Sequence, residues 1–143
     1  MAEPKQGKNE EGKFFHYSVG AIIKRADKYL LIDRAVTPFG FAGPAGHIDE
    51  GETPEEAIVR EVYEETGLTV TDVELLFAEF NAENECSKGV RGHYWYVYDC
   101  EYVGDISRNH EETKSIGWFS IDDIRTLKLE PVWEQWFGKL GII

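Results

Sequence analysis

An α/β sandwich with a mixed sheet is the fold class the sequence predicts, and three observations carry it. β-rich and helical runs are interleaved along the chain. A central segment holds a complete set of signals for one helix. The 143-residue length suits a single domain with a real core. The opening "MAEPKQGKNEEGK" is polar and lacks a secretory apolar stretch, so residues 1–13 read as a disordered tail and residues 14–143 as one domain. "YSVGAIIK" and "YLLID" follow as β-rich runs around the polar "RADK", which predicts a hairpin. "RAVTPFGFAGPAG", with Gly40, Gly43 and Gly46 beside Pro38 and Pro44, reads as an irregular loop. It lacks the Gly-Lys-Ser/Thr ending of a P-loop, so its glycines read as turn residues.

The helix signals begin at Thr53. Thr53-Pro54-Glu55-Glu56 sets a capping residue, a first-turn proline and a Glu three places after the cap, and Gly67 supplies the stop. The helix therefore covers about Pro54 to Thr66. Beyond it, "TVTDVELLFAEF" and "GHYWYVYDCEYV" read as long strands, the second placing Tyr94, Tyr96, Tyr98, Cys100 and Tyr102 on one face. "KSIGWFS" is a shorter strand, and "IDDIRTL" and "PVWEQWFGKL" are helical. Trp133, Trp136, Phe137 and Leu140 fall at helical spacing as a core-packing stripe.

Composition narrows the function. At 42% hydrophobic and 29% charged residues the balance is that of an ordinary globular protein, and no apolar run reaches the length of a membrane span. Cys86 and Cys100 form no CxxC pair and are too few for a disulfide framework, so a reducing cytoplasm is the expected setting. A formal net charge of −12 argues against a nucleic-acid polymer as partner, because such binding rests on Lys and Arg against phosphates. A small phosphorylated substrate stays open, provided a cation stands between the like charges.

That cation has a candidate home. Gly46 to Leu68 holds eight acidic residues. A helical wheel puts Ile58, Val62, Val59, Thr66 and Tyr63 in the core-facing arc and Glu61, Glu64 and Glu65 in the adjoining one. Carboxylates three and four residues apart destabilise a bare helix by roughly 0.2–0.5 kcal/mol per pair, and Arg60 offsets only part of this. A solvated surface helix accounts for such charge, but a divalent cation reverses its sign, since hard oxygens are ligands for Mg²⁺ or Mn²⁺.

The spacing decides between these readings. Gly46, five residues, Glu52, seven residues, then Arg60-Glu61-Val62-Tyr63-Glu64-Glu65-Thr66-Gly67-Leu68 resembles the Nudix hydrolase signature, Gly-x5-Glu-x7-Arg-Glu-U-x-Glu-Glu-x-Gly-U with U a bulky aliphatic residue. Every fixed position is filled, a match expected by chance at a given start less than about once in a billion. The preceding hairpin and the later "GWFSIDDI" also resemble the family, extending the likeness over about Tyr17 to Leu127.

The resemblance implies a Nudix-type α/β/α sandwich with a loop–helix–loop catalytic motif on a mixed sheet. It implies hydrolysis, with divalent metal and water, of the pyrophosphate bond in a nucleoside diphosphate linked to another group. Carried over by position, Glu61, Glu64 and Glu65 become metal-ligand and catalytic candidates, with Glu61 also able to act as base. The Ala45 carbonyl becomes a further metal ligand, Arg60 and Glu52 orient the cluster, and Gly46 permits the local backbone or is a simple turn residue. Family members also use a base on a loop before the late strand. Here "NHEETKS" offers Glu111 and Glu112, with His110 a weaker candidate and a solvated loop the alternative. Many members dimerise, so a homodimer is compatible with the likeness.

The signature specifies the bond rather than the substrate. "PAG" before the box resembles ADP-ribose pyrophosphatases among others, but the proline often found about fifteen residues past the box is replaced in the Glu83–Asn84 region. The tyrosine of dinucleotide polyphosphate hydrolases is missing there too. A nucleoside triphosphate or other small nucleotide is therefore favoured, with ADP-ribose or a nucleotide sugar as the alternative. Phe39, Phe41, Phe80 and Tyr94 are candidates for base stacking or for packing. A non-catalytic nucleotide-binding domain is disfavoured by the intact box, and an isopentenyl diphosphate isomerase by the absence of its Cys and His cluster.

Overall fold

The computed structural model describes residues 3–8, 12–35, 39–81, 92–107 and 113–143. Nine strands and three helices run in the order β1 (Gln6–Lys8), β2 (Phe14–Ile22), β3 (Lys24–Arg25), β4 (Lys28–Arg34), β5 (Gly40–Ala42), β6 (Ala45–His47), α1 (Pro54–Thr66), β7 (Thr69–Asn81), β8 (Gly92–Val103), β9 (Thr113–Ser120), α2 (Ile121–Thr126) and α3 (Pro131–Lys139) among those residues. The larger sheet is mixed. It orders β1-β2-β8-β7, with β6 also on β2; β2 and β8 run parallel and every other pair is antiparallel. The smaller sheet joins β3, β5 and β9 to β4, all antiparallel.

Both faces of the central strands are buried, which makes three layers. On one side Val19, Ala21, Tyr98 and Cys100 pack with Ala57, Ile58 and Val62 of α1. On the other, Trp95 and Val97 pack with Ile124 of α2 and Trp133, Trp136 and Phe137 of α3. Residues adjacent in sequence divide between the cores, as Leu30 and Leu31 of β4 do, because side chains alternate across a strand. The aromatic stripe of α3 is core packing, with Trp136 edge-on to Trp95 at 4.9 Å. Among the described residues no helix is long and apolar enough to cross a membrane.

Three sequence expectations need correction. Part of the supposed disordered tail is a strand: Gln6–Lys8 pairs with Phe14–His16, and Lys5 N–H donates to the Ile48 carbonyl at 2.7 Å. Its polarity fits an edge strand, which buries little. The hairpin expected of the two early β runs forms only at its tip, where Lys24 and Arg25 pair with Tyr29 and Lys28. Beyond the tip β2 enters the larger sheet and β4 the smaller, so each is central rather than paired with the other. Finally, the glycine-rich loop contains two strands, β5 and β6, which edge the two sheets.

Candidate active site

Helix α1 has the expected bounds and the expected ends. Thr53 Oγ1 accepts from Glu56 N–H at 3.1 Å, Glu56 Oε1 accepts from Thr53 N–H at 2.9 Å, and Gly67 closes the helix at φ 79°. The buried face differs from the wheel. Ala57, Ile58, Val62, Glu65 and Thr66 are buried, whereas Val59 and Tyr63 are 39% and 62% exposed. The helix is rotated so that carboxylates, rather than two apolar residues, share the inward face. Its neighbours β2, β6 and β7 explain this, because the inward face meets the backbone of the short strand β6.

Glu65, only 3% exposed, accepts the Ala45 backbone N–H on Oε1 at 2.7 Å. Glu61 lies over Gly46: a Cβ built on that glycine collides with the Glu61 carboxylate. Gly46 is thus a strand residue, not a turn glycine, and its lack of a side chain is a steric requirement. Glu64, 52% exposed at its side chain, stands at the rim. The structure therefore brings Glu61 and Glu65 against the Ala45–Gly46 backbone, with Glu64 outside them.

Arg60 gathers the surroundings. Its Nε and Nη2 donate to the two oxygens of Glu52 at 2.7 and 3.0 Å, a fork-to-fork pair. Nη2 also donates to the His47 carbonyl at 2.9 Å, and Nη1 to Glu61 Oε1 at 2.7 Å and Glu64 Oε2 at 3.2 Å. Asp49, which the sequence did not single out, adds Oδ2 at 3.3 Å and gives its N–H to Glu52 Oε1 at 2.8 Å. The hydrogen bond from Arg60 holds the Glu52 carboxyl below its ordinary range, and the same bond, with Glu61 beside it, pushes the guanidinium up. A planar five-donor group is suited to this role; a lysine could not span it.

The aromatic candidates divide. Phe41 packs edge-on to Phe119 at 5.5 Å, and Phe80 edge-on to Phe15 at 5.3 Å while staying 42% exposed. Tyr94 lies 5.3 Å from Tyr96, and Phe39 is exposed beneath the Lys114 ammonium. Glu111, Glu112, His110 and Cys86 lie outside the described residues. Another group was missed from the sequence: His16, His47 and His93 face one another within 4.8 Å, on three strands whose pairing no local pattern announces.

The chain belongs to the Nudix family: a sequence model of the NUDIX domain matches residues 14–137. It is 33% identical over 116 residues to an ADP-ribose pyrophosphatase of Methanocaldococcus jannaschii, covering 79% of this chain and 66% of that protein. Over 66 residues it is 41% identical to an RNA pyrophosphohydrolase of Photobacterium profundum, covering 46% of this chain and 38% of the relative. The match thus spans less than two thirds of the length of these curated relatives. Among solved structures, a Nudix hydrolase from Nitrosomonas europaea superposes with a TM-score of 0.69 at 28% identity over 83% of each chain. The fold is accordingly the Nudix α/β/α sandwich.

Proposed function

We propose that the chain is a divalent-metal-dependent pyrophosphohydrolase acting on a nucleoside diphosphate linked to another group, with a nucleoside triphosphate or small nucleotide derivative as substrate. The observation that carries the reading is the inward turn of α1, which sets Glu61 and Glu65 against the Ala45–Gly46 backbone. A buried carboxylate surface in a chain of net charge −12 suits a hard cation and repels a bare pyrophosphate. The donor set fits Mg²⁺ or Mn²⁺: Glu61, Glu64 and Glu65 offer carboxylate oxygens, and Ala45 offers its carbonyl. When bound, such an ion neutralises phosphate charge and acidifies water. Arg60 fixes the Glu61 and Glu64 carboxylates from one side, and Glu52 with Asp49 fixes Arg60. Glu61 is also the candidate to take a proton from the attacking water, with Glu111 or Glu112 as the base from outside the box. A second reading, ADP-ribose as substrate, is supported by the name of the archaeal relative.

The test is a panel of nucleoside triphosphates, ADP-ribose and nucleotide sugars, assayed for phosphate or pyrophosphate release with and without Mg²⁺. Glu61→Gln is expected to lower kcat at saturating Mg²⁺ by at least about a hundredfold, with unchanged circular dichroism. Full activity of that variant removes Glu61 from the mechanism. If neither Glu111→Ala nor Glu112→Ala loses more than about tenfold, the base does not lie in that loop. No turnover of any compound by the wild type favours a nucleotide-binding role.

A further inference from the structure

Three of the chain's four histidines meet on the sheet face opposite α1. Register brings them there: His16 of β2 pairs with His93 of the parallel strand β8, and Ser18 of β2 pairs with His47 of β6. Alternation then points all three rings to the α3 side, the side on which Trp95 packs and on which a Cβ at Gly20 would touch Trp133. His16 and His93 are each 2% exposed, and His47 is half-buried at the mouth. His16 Nδ1 and His47 Nε2 stand 3.2 Å apart, and one ring nitrogen from each of the three residues lies within 4.8 Å of the others.

We propose that His16, His47 and His93 form a second cation site, separate from the carboxylates, that takes Zn²⁺ or a similar borderline divalent ion. Tetrahedral coordination at a Zn–N length of 2.0–2.1 Å sets neighbouring ligand nitrogens about 3.3 Å apart, close to the spacing of the first pair. The nitrogen offered by the third ring, His93, lies within 4.8 Å of the other two, so binding requires it to close by up to about 1.5 Å. Imidazole selects Zn²⁺, Co²⁺ or Ni²⁺, whereas Mg²⁺ prefers oxygen, so ligand chemistry keeps the two sites distinct. Gln6, which pairs with His16 in register, lies on the other edge of the His16 ring, its Nε2 3.4 Å from His16 Nε2. Turned over, that carboxamide offers an oxygen to the Nε2–H and holds Nδ1 toward the ion, while water fills the fourth position. The site also reaches the carboxylate side through one strand, because His47 follows Gly46 and its carbonyl receives Arg60. An ion on His47 fixes β6 from behind.

Co²⁺ titrated into the full chain in excess Mg²⁺ tests this by visible absorption, which is intense for four-coordinate nitrogen ligation and weak for six oxygens. The expected result is one equivalent of intense absorption, displaced by Zn²⁺ and retained in Glu61→Gln. It should be lost, or need at least about tenfold more Co²⁺, in His47→Ala, whose half-exposed side chain leaves the core untouched. His16→Gln and His93→Gln should act alike. Weak absorption only in the wild type overturns the proposal even if a variant fails to fold. An intense band that survives His47→Ala, or that disappears in Glu61→Gln, overturns it as well.

Discussion

At Gly46 a missing side chain makes room for the Glu61 carboxylate. Gly46→Ala therefore has no backbone reason to fail, since the residue sits in the regular strand β6. The added methyl must instead displace Glu61. Because misplacing a reacting group by about 1 Å can lower a rate a hundredfold, kcat of Gly46→Ala is expected to fall roughly ten- to a hundredfold while thermal stability changes little. A variant with wild-type kcat would mean that Glu61 occupies a different place during turnover. Arg60 shows the complementary logic, with one side chain replacing several repulsions by attractions to Glu52, Glu61, Glu64 and Asp49. Cys100 belongs to no site: burial pushes its thiol up to about 12, which leaves it unreactive.

At the scale of elements, α1 was the part most legible in the sequence. Its limits follow from local chemistry, with Thr53 and Glu56 reciprocally hydrogen-bonded and Gly67 in the left-handed region. Thr53→Ala is expected to remove about 1 kcal/mol of stability in urea denaturation, leaving the wild-type kcat in place once the protein is folded. What lies inward on α1 was less legible. A wheel ranks residues by polarity and so favoured Val59 and Tyr63, whereas β6 selected the side bearing Glu61 and Glu65. Strands were recognised but not their partners. β2 and β4 look alike as neighbours in sequence, yet the preference of each for a different sheet is a tertiary matter that no short window contains.

For the whole molecule, a strongly acidic chain that turns Glu61 and Glu65 inward would gain stability from the divalent cation proposed for them. Binding to the folded state alone stabilises by about 2.7 kcal/mol at a hundred times the dissociation constant. Mg²⁺ should therefore raise the melting temperature by roughly 5–10 °C at that excess, and Glu61→Gln should show a clearly smaller rise by scanning fluorimetry. Equal shifts in both proteins would assign the effect to general charge screening. The carboxylate site was readable because its residues occupy one continuous stretch. The histidine cluster was not, since it exists only after β2, β6 and β8 have been brought side by side.

That last pairing also bears on how the chain reaches its shape. Residues 14–66 emerge from synthesis before residues 92–103 and hold β2, β6 and α1, which contact one another. Yet β2 stays without its parallel neighbour until Gly92–Val103 has been made, because Phe15 pairs with Gly92. The half of the molecule that carries the candidate active site is thus made early and completed late. A long loop must close before that central contact repays the lost chain entropy, which places this topology among the slower folders of its size.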